Sequence, residues 1–353
     1  MPKKKKGKGK QAPLFTPEEL AGFIEDYKRN CQEMGNIVPN EQILAQLCGE
    51  EESVVEEFKE LNQVLVSDES LGRVGTRALS TAILGIDART PARTPFRGIR
   101  SLRLNSSRVG CDGVASLAEI LRIGGADAPI SYLELKDNEI QPRGCRALGG
   151  ALMYGNKSLL YLDLSYNPIL SEGARFLCKG LRSNSTLAQL HLVSCGLDEN
   201  AAAHIGDALA YPMSGMILLN ISGNCIADEG LRNLCPGLQS NSKLEVLDLS
   251  SCRIGSHGDD RAIRAMTDFA LVLQTHKTLH TLSLKGNLLC PQICDLLLPA
   301  LRDPANSEKA HPRLKKVEVD AGLRGISQDV YEKLNVTGGA KGGKKGKKGK
   351  KKK

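Results

Sequence analysis

The chain has 353 residues, with 48 Lys and Arg against 40 Asp and Glu, a formal net charge of +8, 11 cysteines and no tryptophan. No apolar run is long enough for a membrane-spanning helix, and the N-terminal lysines lack the hydrophobic segment of a secretory signal, so an intracellular protein is expected. The positive excess is confined to the ends: six lysines fall within residues 3–10 and nine within 341–353, with no acid in either run, so the rest holds 33 basic residues against 40 acidic ones. The body is acidic and the two ends are cationic.

Residues 1–13, MPKKKKGKGKQAP, are Lys, Gly and Pro with little to bury, and disorder is expected there. Thr16-Pro17-Glu18-Glu19 reads as a helix start in which Thr16 caps, Pro17 takes the first helical position and Glu19 reaches back to the cap. Leu20, Phe23, Ile24, Tyr27 and Cys31 share one face of that helix, Gly35-Asn36 ends it, and a second short helix with Ile43, Leu44 and Leu47 follows Pro39. Residues 14–60 are predicted to form a helical N-terminal cap over the core of the downstream chain.

From residue 61 one pattern recurs, clearest at LLYLDLSYNPIL, residues 159–170. Leu162 and Leu164 lie two apart and share one face of a short strand, while Tyr161, Asp163 and Ser165 face the other way. Asn167 sits where the chain turns off the strand, and its amide can satisfy backbone groups at a buried corner. The same pair returns as Leu102/Leu104, Leu133/Leu135, Leu190/Leu192, Leu219/Ile221, Leu247/Leu249 and Leu282/Leu284, with degenerate copies at Val64/Val66 and Val317/Val319. Ser107, Asn138, Cys195, Asn224, Cys252 and Asn287 stand at the turn position. From Leu102 to Leu247 the spacing runs 31, 29, 28, 29 and 28 residues, which leaves room for a helix on each return path. Such helices show as Gly173, Ala174, Leu177, Leu181 and as Ala202, Ile205, Ala208, Leu209. DARTPARTPFRG, residues 87–98, interrupts the array as a surface loop.

This pattern, with Asn and Cys alternating at the turn, resembles leucine-rich repeats of the ribonuclease-inhibitor type over roughly residues 60 to 325. The predicted fold is therefore α/β: a leucine-rich repeat solenoid, or horseshoe, with a parallel concave sheet and outer helices over residues 61–337. Residues 338–353 are expected to be a disordered Lys/Gly tail. Most cysteines fall in repeat positions and are read as reduced, buried small residues. Cys290 and Cys294 would supply half a metal site, but no matching His/Cys pair follows.

The outward strand residues should form columns on the concave sheet, where solenoids of this kind usually bind partners. Glu134, Asp163 and His191 fall in one column on adjacent strands, about 4.8 Å apart. That trio would serve either as an ion-binding or proton-sharing cluster or as an acidic stripe for a basic partner. Parallel side chains in a flat column argue for the stripe. The predicted partner-binding set is Tyr132, Glu134, Tyr161, Asp163, Tyr166, Gln189, His191, Asn220 and Asp248, with tyrosine supplying contact area at low entropic cost.

No G-x-S-x-G, HExxH or phosphate-binding loop is present, so no catalytic residue, cofactor or metal is expected. Lys3, Lys4, Lys5, Lys6, Lys344, Lys345, Lys347 and Lys348 are the candidate polyanion contacts: acidic tubulin tails or nucleic acid, rather than a membrane, which needs a second hydrophobic signal. The lysine-rich ends resemble those of axonemal proteins of cilia and flagella, some of which carry such repeats. That resemblance implies a non-enzymatic scaffold in a larger complex on cytoskeletal microtubules. PKKKKGK equally resembles a nuclear import signal, which implies a nuclear or nucleolar RNA-associated scaffold instead. Activators of the Ran GTPase share the repeat type, but their tail is acidic where this one is basic.

Overall fold

The computed structural model describes residues 14–49, 58, 62–86, 95–125, 128–255, 259–298, 314 and 316–320. The predicted tails, 1–13 and 338–353, and residues 87–94 of the interrupting loop lie outside the described residues.

Helix α1 (Pro17–Glu33) begins with the reciprocal cap that TPEE suggests: Glu19 N–H donates to Thr16 Oγ1 at 3.2 Å, and Thr16 N–H donates to Glu19 Oε2 at 2.7 Å. Its Leu20, Phe23, Tyr27 and Cys31 are buried. Helix α2 (Glu41–Cys48) lies against the first strand, β1 (Gln63–Val66). There the Gln46 side chain accepts from Leu65 N–H at 2.9 Å and donates to Leu65 O at 2.6 Å, while Gln42 accepts from Ser67 N–H at 3.1 Å. Two glutamine amides thus occupy backbone groups that an open sheet edge would offer to another chain.

The remaining strands are β2 (Ser101–Leu104), β3 (Tyr132–Glu134), β4 (Tyr161–Asp163), β5 (Gln189–His191), β6 (Leu218–Asn220), β7 (Val246–Asp248), β8 (Thr281–Ser283) and β9 (Lys316–Glu318). Among the described residues these nine strands are all parallel and lie in sequence order in one sheet. The helices between them are α3 (Gly72–Leu84), α4 (Gly110–Gly124), α5 (Pro142–Met153), α6 (Leu170–Leu181), α7 (Glu199–Leu209), α8 (Ala227–Ser240), α9 (Asp260–Thr275) and α10 (Pro291–Leu297). Val64, Leu102, Leu133, Leu162, Leu190, Leu219, Leu247, Leu282 and Val317 pair in register across the sheet as one row, none more than 2% exposed. Each leucine so buried contributes about 1.5–3 kcal/mol, but only because a neighbouring repeat covers it. Neighbouring helices come together on small residues: a Cβ at Gly180 of α6 would stand 2.2 Å from Gly149 O of α5, so glycine is required there.

The turn residues supply the lateral bonds. Asn224 Oδ1 accepts from Cys195 N–H at 2.9 Å and Leu197 N–H at 3.0 Å, one repeat back. Its Nδ2 donates to Leu192 O at 2.8 Å, Ile221 O at 2.7 Å and Ser222 O at 3.1 Å. Asn138, Asn167 and Asn287 accept from the preceding turn in the same way. A cysteine there only donates, as Cys252 Sγ does to Ile221 O at 3.3 Å. Burial pushes the Cys195 and Cys252 thiols up to about 12, which keeps that proton in place. Each cysteine turn is followed by an asparagine whose oxygen accepts the N–H groups of that turn, Cys195 and Leu197 on Asn224 and Cys252 and Ile254 on Asn287.

A second amide row lies where the chain leaves the helices and returns to the sheet. Asn156 accepts one backbone N–H from three residues on, Asn184 and Asn241 each accept two, from two and three residues on, and each of the three donates to a carbonyl near the end of the helix one repeat back. His276 takes this place in the next repeat, with Nδ1 accepting from Thr278 N–H at 3.4 Å and Leu279 N–H at 3.1 Å. Burial holds its imidazole below the usual histidine value of 6.5.

Two outcomes are expected. Asn224→Ala removes the partner of two buried N–H groups and of Leu192 O, while Ile221 O and Ser222 O keep Cys252 Sγ and Ser194 N–H. It should lower stability by about 3 kcal/mol, whereas Cys252→Ala should cost about 1 kcal/mol, as read from urea midpoints. Because His276 is neutral when folded, the unfolded chain takes up its proton first. Its contribution is present above the ordinary value and lost as pH falls through the lowered one. His276→Asn should therefore lose less stability than wild type between about pH 7 and pH 5 in a denaturant titration.

Candidate functional site

Side chains flanking the buried leucine row stand on the concave face in register. One column runs Ser101, Tyr132, Tyr161, Gln189, Leu218, Val246, Thr281, Lys316, and the next runs Arg103, Glu134, Asp163, His191, Asn220, Asp248, Ser283, Glu318. Within them the Tyr132 and Tyr161 rings stack at 3.9 Å with planes 7° apart. The Arg103 guanidinium lies 4.8 Å over Tyr132, and the His191 ring sits 5.0 Å beyond Tyr161. Four side chains from four successive strands form one contiguous row, each restricting the rotamers of the next.

The two carboxylates of the expected acidic stripe are turned away from solvent: Glu134 is 6% exposed and Asp163 3%. Lys136 Nζ bridges them, 2.7 Å from Glu134 Oε1 and 3.4 Å from Asp163 Oδ2. Glu134 also accepts from Asn105 Nδ2 at 3.1 Å and from the Tyr132 hydroxyl at 3.3 Å, and Arg103 Nε stands 3.5 Å from its Oε2. Asp163 accepts from the Tyr161 hydroxyl at 3.3 Å and Ser165 N–H at 2.9 Å. Burial alone would raise the Glu134 carboxyl, but Lys136, Asn105 and Arg103 together hold it below its ordinary value. The bond to Glu134 in turn raises the Lys136 ammonium above its own.

Burial also lowers the His191 imidazole, more than the nearby Asp163 charge lifts it, and its Nε2 is buried without a hydrogen-bond partner among the described residues. Among those residues no group of three His, Cys, Asp or Glu side chains is placed to hold a metal ion. The cysteines are free, and Cys290 and Cys294 both belong to the start of α10.

Of the predicted partner-binding residues, Tyr132, Glu134, Tyr161, Asp163, Gln189 and His191 come together on β3 to β5. Asn220 and Asp248 lie further along the face, where each accepts from the N–H of the serine two residues on. Tyr166 stands apart in the turn after β4, 57% exposed, with left-handed backbone at φ 61°. The eight tail lysines lie outside the described residues. Reasoning from the chain alone passes over Arg103 and Lys136, although both are outward-facing: Arg103 stands in register with Glu134, and Lys136 follows two residues after it on the same face.

A family model described as Leucine Rich repeat matches residues 129–149, 155–178, 217–235 and 240–258. The pig ribonuclease inhibitor is 26% identical over 287 residues, covering 74% of this chain and 60% of the inhibitor, and the mouse inhibitor is 30% identical over 208 residues, covering 58% and 43%. The chain is a leucine-rich repeat protein of the ribonuclease-inhibitor type. Mouse NACHT, LRR and PYD domains-containing protein 14 is 32% identical over 210 residues, which are 59% of this repeat protein but 20% of that relative. This chain thus spans about a fifth of the length of the NACHT relatives it matches and 60% of the pig inhibitor.

Removing the cation that bridges two buried carboxylates should destabilise the repeat protein. For Lys136→Met the expected loss is about 1–2 kcal/mol at neutral pH, less than for a fully buried pair because the lysine is partly solvated. The folded Glu134 value is depressed, so its share is present above about 4.5 and lost as pH falls through the folded value. The gap between wild type and variant should close in acid, which urea titrations at several pH values would show.

Proposed function

We propose that this protein is a non-enzymatic interaction scaffold whose concave face holds a protein partner while its lysine clusters fasten the complex to an acidic surface. The observation that carries the reading is the rigid Arg103–Tyr132–Tyr161–His191 row on an open sheet face, since pre-ordered aromatic and arginine side chains are what interfaces use as anchors. The repeat family and the likeness to ribonuclease inhibitors support the scaffold class. In this proposal residues 14–60 close the first end of the stack.

For the acidic surface we propose the glutamate-rich tubulin tails of axonemal microtubules in a cilium or flagellum. Fifteen lysines in two runs without an acid support a polyanion contact, and their attraction must weaken as salt screens it. Cosedimentation of the full chain with polymerised tubulin should fall from low to moderate salt, and fall again on deleting residues 1–12 and 339–353. Binding unchanged by the deletion would end the tail mechanism. A tagged copy found in the nucleus and released by ribonuclease treatment would replace the axonemal assignment with an RNA-associated one.

A further inference from the structure

Resting on the reading that the concave face is the partner-binding surface, we infer that its β2–β4 patch receives an acidic peptide segment, docking a partner carboxylate on Arg103. The charges along the column would favour a basic partner, but the geometry reverses that preference. Every oxygen of Glu134 and Asp163 already has a donor or a cation beside it: Lys136 and Asn105 on Glu134 Oε1, the Tyr132 hydroxyl and Arg103 on Oε2, Ser165 N–H on Asp163 Oδ1, and the Tyr161 hydroxyl with Lys136 on Oδ2. With side chains 8% and 4% exposed, both carboxylates are closed to an incoming cation.

The donors face the other way. Arg103 and Lys136 keep 37% and 38% of their side-chain surface in solvent. The terminal amino groups of Arg103 carry no hydrogen bond among the described residues, while its Nε edge faces Glu134 and its plane lies over Tyr132. A guanidinium whose plane rests on Tyr132 and whose Nε is buried, 3.5 Å from Glu134 but without a hydrogen bond among the described residues, keeps its terminal amino groups for two parallel N–H bonds to one carboxylate. Lys136 uses two of its three ammonium protons on the buried pair and retains one.

Beside this fork, Leu65 pairs in register with Arg103 on β1 and is 39% exposed, and the stacked tyrosines wall the other side. The occupant that fits is therefore an acidic segment with an apolar or aromatic residue next to its carboxylate. Charge complementarity favours it twice, because a basic segment would meet two cations and find both carboxylates of β3 and β4 already taken.

The test uses the full chain and three labelled peptides of equal length, each with one Phe, otherwise rich in Glu, Gln or Lys. Fluorescence anisotropy gives total binding, and hydrogen exchange locates the contact and gives its affinity. The Glu peptide is expected to bind tightest and to protect residues 101–104 and 132–134. Arg103→Gln should weaken it about tenfold and Arg103→Lys less, since charge without the fork recovers part of the contact. The lysine tails offer the Glu peptide parallel sites in wild type and variants alike, so the affinities compared are the peptide concentrations that half-protect residues 101–104 and 132–134, not total binding. Equal affinity for wild type and Arg103→Gln, preference for the Lys peptide, or no binding by any peptide would overturn the inference. Protection confined to residues outside the sheet would instead overturn the concave-face reading beneath it.

Discussion

Where the chain turns off each strand, buried N–H and C=O groups point at the neighbouring repeat and have no partner in their own, and the rest of this structure depends on how they are served. An asparagine amide is both donor and acceptor and can serve five groups at once, as Asn224 does, three of them in the preceding repeat and two in its own. It therefore couples two repeats in one step. The buried leucine row supplies most of the driving force, but hydrophobic contact is non-directional and does not fix how far one repeat rotates on the next. Directional bonds at the turn, and again at Asn156, Asn184 and Asn241, hold the strands in the register that brings outward residues into straight columns.

The candidate site is a consequence of that register. Tyr132 and Tyr161 stack only because Leu133 and Leu162 pair directly beneath them. The same alignment sets Glu134 beside Asp163 and would bring two buried negative charges together, a costly arrangement without Lys136 between them. The outcome is a patch with anions inside and cations outside, locked by tyrosine hydroxyls. Such an arrangement preserves net neutrality while changing what a partner meets at the surface.

Much of this was legible in the sequence for a physical reason. A repeat that must stack on copies of itself has to place its core residues periodically, so the leucine spacing gave strand register, the columns and most helix faces directly. The Thr16–Glu19 cap was legible because it is local. What depends on contacts between distant residues was not. Gln42 and Gln46 cover the edge of β1 from 19 to 25 residues away, and nothing in their local pattern marks them. The second amide row was hidden because His276 replaces asparagine in one copy and does its accepting through Nδ1. A column shows which residues share a face but not where a flexible carboxylate points, and so the stripe read as acidic although its charges turn inward.

The central claim, that amide-bridged turns make neighbouring repeats one unit, is tested most directly by native-state hydrogen exchange at single-residue resolution. The N–H groups of Asn138, Ile140, Cys195, Leu197, Cys252 and Ile254 all bond to a side chain one repeat away. They should exchange as slowly as the sheet N–H groups of Leu164, Leu192, Ile221 and Leu249. Exchange at those turns as fast as at exposed loops, with the sheet still protected, would contradict it.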